Sequence, residues 1–140
     1  MKCKFDLEKL GKIKDDINRY IDDLKEFKIR KEENLVNKET FYAISMIMFS
    51  ILNRCIDLGN EIISACEFGL PITYKDIFEI LYQKKVISEN TKLNFFKFIY
   101  YRNLIAHQYY RINKKQLFNF VKKISIIENF LKEIYNFVNK

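Results

Sequence analysis

KETFYAISMIMFSILNRCIDLGNEIISAC, residues 38–66, is the stretch whose reading decides the fold. From Phe41 to Leu52 it is apolar nearly all round, with Ile44, Met46, Ile47, Met48, Phe49 and Ile51 between them. A helix apolar on every side is either central in a bundle or shared with another subunit. A bundle of 140 residues has little room for a fully enclosed helix. A homodimer interface is therefore the favoured reading, with a purely intrachain core as its rival. The second half is amphipathic. Arg54, Asp57, Asn60 and Glu61 recur at threes and fours, opposite Cys55, Ile62 and Cys66. Two readings of these polar residues stand: a solvated stripe with one intrahelical pair, or a polar wall beside a site.

On the N-terminal side, Leu7, Leu10, Ile13, Ile17, Tyr20, Ile21, Leu24 and Phe27 predict a first helix over residues 5–28. IRKEENLVN, residues 29–37, is a loop or the frayed start of the next helix, with Asn34 or Asn37 as N-cap. On the C-terminal side, Gly69-Leu70-Pro71 ends the long helix, glycine suiting the position after the cap. Thr73 and Asp76 have capping-box spacing and start a short helix to about Lys84. Ser88 is the next N-cap. A helix from Glu89 to about Ala106 is read as turning Leu93, Phe96, Ile99 and Tyr100 inward. Asn113 with Gln116 caps a last helix running to about Val138. No alternating run argues for a sheet. The expectation is one all-α domain over residues 1–140.

Composition narrows the function. Hydrophobic residues at 49% mark a globular chain, and three Gly and one Pro favour a few long helices. Lys and Arg number 25 against 18 Asp and Glu, a net charge of +7. That balance fits an anionic partner such as RNA or an acidic protein, or simply a soluble surface. Cys3, Cys55 and Cys66 form an odd set without a C-x-x-C, and no signal peptide precedes them. Reduced thiols in a cytoplasm are expected, with Cys55 and Cys66 about three helical turns apart and packed in the core. One His and no clustered Cys argue against a zinc site. The run from Phe41 to Leu52 is too short to cross a bilayer core of about 30 Å, so no membrane span is expected.

The chemistry concentrates in YYRNLIAHQYYR, residues 100–111, which holds the only histidine. On bland terms His107 bonds a carbonyl or sits at the negative end of a helix. Its neighbours add to that. Asn103 lies one turn before His107 and could fix the imidazole tautomer. Arg102 can grip a phosphate with two bonds and stays charged. Histidine can take or give a proton near neutral pH. Together they suit cleavage of RNA by its own 2′-OH, with arginine stabilising the phosphoryl charge and no metal or other cofactor required. That chemistry asks for an acid and a base, and a symmetric dimer would bring two histidines together. Arg102 and His107 are about 140° apart on an ideal helix, so they meet on one ligand only if the helix ends or bends, or if a second copy contributes.

Arg102-Asn103-x-x-x-His107-x-Tyr109 resembles the R-x-x-x-x-H-x-Y signature of HepT-like ribonuclease toxins in the HEPN superfamily. Arg54-x-x-Asp57-x-x-Asn60, the Leu70–Phe78 segment and the aromatic approach to Arg102 are also similar to that family. The resemblance covers most of the chain. It implies a HEPN-like helical bundle of four to five helices, homodimeric, acting as a metal-independent endoribonuclease toxin. It implies an MntA-type nucleotidyltransferase antitoxin that silences the toxin by AMPylation. By residue, it implies that Arg102 and His107 are catalytic, that Asn103 and Asp57 support them, and that Tyr109 is modified. Two rivals are a HEPN-like module that docks a nucleotidyltransferase or nucleotide without catalysis, and a structural helical adaptor.

Overall fold

The computed structural model describes residues 2–108 and 112–140. Among the described residues there are six α-helices and no strand: α1 (Leu7–Glu26), α2 (Lys38–Ala65), α3 (Tyr74–Gln83), α4 (Glu89–Gln108), α5 (Lys114–Lys122) and α6 (Ile124–Val138). A single 3₁₀ turn, Glu32–Leu35, links α1 to α2. Asn37 caps α2 by accepting from Thr40 N–H, and Asn34 accepts from the N–H groups of Arg30 and Lys31 to hold the turn.

The long second helix is the centre of the bundle, packed against α1, α3, α4 and α5. Ile44, Met48, Ile51, Leu52, Cys55, Leu58 and Ile62 are fully enclosed. By length and composition α2 could cross a membrane, against the expectation that its apolar run is too short. A core helix passes the same test, and 44% of the apolar window is buried in the fold. Part of its first half stays uncovered: Tyr42 is 52% exposed and Met46 59%.

The end of α2 departs from expectation in two ways. Gly69 is not the residue after the cap. Glu67 takes that left-handed position at φ 53, with Phe68 N–H donating to Ile63 C=O and Glu67 N–H to Ser64 C=O. The glycine lies two residues beyond, at φ 130. Cys3 and Cys66 are not free thiols but a disulfide, with Cα atoms 4.3 Å apart. The N-terminal segment docks there because Lys4 N–H donates to Ala65 C=O, a long-range pairing that cysteine spacing does not carry. Cys55 alone is free, and burial pushes its thiol well up from the ordinary range.

The last predicted helix is two. It breaks at Lys123: both halves pack on α4, but α5 also packs on the 3₁₀ turn and α2. The phase of α4 also differs from the reading. Phe95, Phe98, Ile99 and Tyr101 point inward, whereas Leu93 and Tyr100 are more than half exposed. The run LNFFKFIYY is apolar in too many phases for periodicity to choose one. Packing chooses: Phe95 stacks on Phe78 of α3 at 4.3 Å and meets Phe130 of α6 at 4.7 Å, while Phe98 sits edge-on to Phe120 of α5 at 5.1 Å. This phase puts Arg102, one turn after Phe98, against α2.

The start of α4 is held from across the bundle. Ser88 Oγ accepts from Thr91 N–H, as predicted for its N-cap, and the Glu133 carboxylate of α6 accepts from Ser88 N–H at 2.6 Å and from Thr91 Oγ1. Gly59 sets the approach of α3 to α2. A Cβ there would lie 2.5 Å from Ile77 Cγ2 and 3.3 Å from Leu81 Cδ1, both enclosed. Overpacking of this kind costs about 1–3 kcal/mol, against about 1 kcal/mol gained in helix propensity. Gly59→Ala is expected to lower stability by up to about 2 kcal/mol in urea unfolding; a gain of about 1 kcal/mol would show that the α2–α3 contact is not tight.

Candidate functional site

Arg102 is half-buried where α4 passes α2 and the start of α3. Its Nε donates to Asn53 Oδ1 of α2 at 2.9 Å, and its Nη1 donates to Asn103 Oδ1 at 3.1 Å. Its guanidinium lies 5.2 Å from the ring centre of Phe49 and 4.7 Å from that of Tyr74. Guanidinium groups favour such faces because they are planar, delocalised and weakly hydrated. Among the described residues no hydrogen bond occupies Nη2.

An open cavity of about 510 Å³ lies beside this group, lined by Ile72, Thr73, Tyr74, Arg102, Asn103 and His107. One wall is the entry to α3, and the predicted capping box holds it. Asp76 Oδ2 accepts from the N–H groups of Ile72 and Thr73 at 3.0 Å each, and Thr73 Oγ1 accepts from Asp76 N–H. Those backbone donors, Thr73 first, hold the Asp76 carboxyl below the usual carboxylate range. The other wall is α4. The helix runs unbroken through His107 to Gln108, so it neither ends nor bends between the two motif residues, and both line the cavity; of the conditions for their meeting on one ligand, a second copy is the one left. Asn103 lies between them in angle. Its amide oxygen serves Arg102, and among the described residues it makes no hydrogen bond to His107, which is exposed. The support it gives is therefore to the guanidinium and not to the imidazole tautomer.

The polar stripe of α2 faces elsewhere. Arg54 is paired with Asp57 at 2.9 Å and with Asp16 of α1 at 2.7 Å, and Glu61 is paired with Lys9 of α1 at 2.7 Å. The Arg54 hydrogen bonds hold the Asp16 carboxyl below its ordinary range. Asp57 is thus a partner of Arg54 and does not line the cavity. The α2 residue that reaches Arg102 is Asn53, which the sequence reading passed over. Its neighbours Arg54 and Asp57 carry charge and pair with each other and with Asp16, whereas the uncharged Asn53, one turn before Asp57, turns its amide to Arg102. Tyr109 falls outside the described residues, as do Tyr110 and Arg111. A second hollow, about 340 Å³ and mostly apolar, adjoins the site across Phe49. Phe41, Tyr42, Met46, Ile105 and Ala106 line it.

The model of the family described as "Ribonuclease HepT-like" matches residues 17–134. The chain belongs to the HepT-like family. A Bacillus subtilis protein provisionally named RNase YutE is 27% identical over 97 residues, covering 69% of this chain and 67% of that protein. The mRNA nuclease HepT of Shewanella oneidensis is 25% identical over 85 residues, 61% of this chain and 59% of its own length. The chain thus matches less than two-thirds of HepT. The solved structure of YutE, described as a cytosolic protein of unknown function, superposes with a TM-score of 0.84 at 23% identity, covering 99% of this chain and 93% of that one. A tri-AMPylated HEPN toxin from S. oneidensis, solved in complex with its MNT antitoxin, superposes at 0.84 and 20% identity, over 91% of this chain and 96% of that one. These likenesses fix the HEPN-type all-helical fold for this HepT-like chain.

Proposed function

We propose that this chain is a metal-independent endoribonuclease toxin that cuts RNA by attack of a 2′-OH on the adjacent phosphorus. The observation that carries the reading is the open cavity that Arg102 and His107 both line. In the reaction a base takes the 2′-OH proton, the 2′-oxygen bonds to phosphorus, and the bond from phosphorus to the 5′-oxygen breaks. An acid returns a proton to that leaving oxygen. Arg102 offsets the charge that grows on the phosphoryl oxygens. His107 supplies one of the two proton-transfer roles.

The second role comes from a second copy of the chain. The uncovered face at Tyr42 and Met46, and the apolar hollow that ends at Ala106 beside His107, support a homodimer there. Pairing across that face would set two histidines near one another. Asn103 supports Arg102, and Asp57 contributes through Arg54 by fixing α1 to α2. On this reading the chain meets its RNA in the cytoplasm, a placement that rests on the substrate and not on the thiols, since Cys3 and Cys66 are joined.

Control by an MntA-type nucleotidyltransferase antitoxin fits the motif and the family. AMP joined to Tyr109 would add a bulky phosphate ester close to Arg102 in sequence and compete for its cation.

Purified protein incubated with total RNA in EDTA is expected to cleave it, with His107→Ala and Arg102→Ala each slowed by about 100-fold or more. Silence of the parent, equal cleavage by all three, or a requirement for Mg²⁺ would contradict the proposal. After co-expression with a neighbouring nucleotidyltransferase, intact mass should rise by one or more AMP units, and Tyr109→Phe should abolish the rise; a shift that survives this substitution would move the modification elsewhere.

A further inference from the structure

Arg54 of α2 and Arg102, which reaches the adjacent Asn53 from α4, are treated in opposite ways. Arg54 is paired with two carboxylates, Asp16 and Asp57. Arg102 is held by two neutral amides, Asn53 and Asn103, and by the faces of Phe49 and Tyr74. A carboxylate partner cancels the field a guanidinium presents to a ligand; an amide oxygen aligns the group and leaves its charge in place. The Nε–Asn53 bond fixes rotation in the guanidinium plane, and the two rings fix its tilt. With Nη1 held by Asn103, they leave Nη2 without a hydrogen bond among the described residues, on a side chain that lines the cavity.

We infer that Asn53, with Phe49 and Tyr74, is a positioning residue for cleavage: the trio orients Arg102, and the neutrality of Asn53 reserves its charge for the scissile phosphate. This rests on the ribonuclease reading above. None of the three is asked to touch the reacting atoms.

Asn53→Asp separates positioning from mere scaffolding. The carboxylate would accept the Nε proton at least as well as the amide, so thermal stability should hold or rise. Cleavage of a mixed-sequence RNA oligonucleotide should nevertheless fall about tenfold or more, because the cation is now paired. Asn53→Leu, which removes the acceptor, should lower both. Tyr74→Leu should reduce kcat about tenfold while KM changes by less than about threefold, and Tyr74→Phe, which keeps the ring, should lose several-fold less. Asn53→Asp cleaving within about twofold of the parent, with stability intact, would overturn the inference. So would an equal loss for Tyr74→Phe and Tyr74→Leu.

A silent parent would count against the ribonuclease reading and not against the positioning claim. The claim is then read from binding to a 2′-O-methyl RNA of mixed sequence, which cannot be cut by this route. Asn53→Asp should weaken that binding about fivefold or more and flatten its salt dependence; unchanged binding would overturn it.

Discussion

Arg102 keeps a full positive charge at the seam of three helices, and the surroundings of the seam are arranged around that charge. A guanidinium brought this close to an apolar core needs either an opposite charge or a set of neutral acceptors and ring faces. Here it has the second. Asn53 reaches it from the middle of α2, Phe49 lies one turn earlier on the same helix, and Tyr74 opens α3. Each of these depends on something further away. Tyr74 is placed by the Thr73–Asp76 capping box, Asn53 by the enclosed run of α2, and Arg102 itself by the Phe95 and Phe98 contacts that set the phase of α4. The cavity is thus a consequence of packing decisions made in its own wall and one and two turns along α4.

Much of this fold was legible in the chain because few devices compete within it. Regular spacing of Leu10, Ile13, Ile17, Ile21 and Leu24 gave α1 directly, and side-chain oxygens at Asn37, Thr73, Ser88 and Asn113 marked helix starts that the structure keeps. The misreadings share a cause: several placements satisfied the local pattern, and a distant contact chose among them. Lys123 breaks a continuous apolar stripe whose halves share α4 but of which the first also packs on α2 and the 3₁₀ turn. Leu93 and Tyr100 turn outward because Phe78 and Phe130 hold Phe95. Cys3 finds Cys66 through the Lys4–Ala65 backbone bond, which no spacing rule encodes. Glu67, and not Gly69, takes the left-handed turn because α2 stops at Cys66.

The candidate site was legible as a motif and less so as a geometry. Arg102 and His107 announce themselves by type and spacing, and both border one cavity. Their partners do not announce themselves. Charged Arg54 and Asp57 looked like site residues, yet they join α1 to α2. Uncharged Asn53 looked incidental, yet it is the residue that aims the arginine. A polar residue that keeps a charge available is harder to read than one that neutralises it, because only the three-dimensional pairing distinguishes the two.

The proposed chemistry depends on that availability: a mobile or neutralised arginine could bind RNA loosely but could not stabilise one phosphoryl geometry over another. The most direct measurement is the identity of the ends left on a cleaved RNA. Attack by the 2′-oxygen leaves a 2′,3′-cyclic phosphate on one fragment and a 5′-hydroxyl on the other, and a single 2′-deoxy nucleotide at the cut position blocks it. Fragments bearing 5′-phosphates, or cleavage that ignores the 2′-deoxy substitution, would contradict the proposed roles of Arg102 and His107.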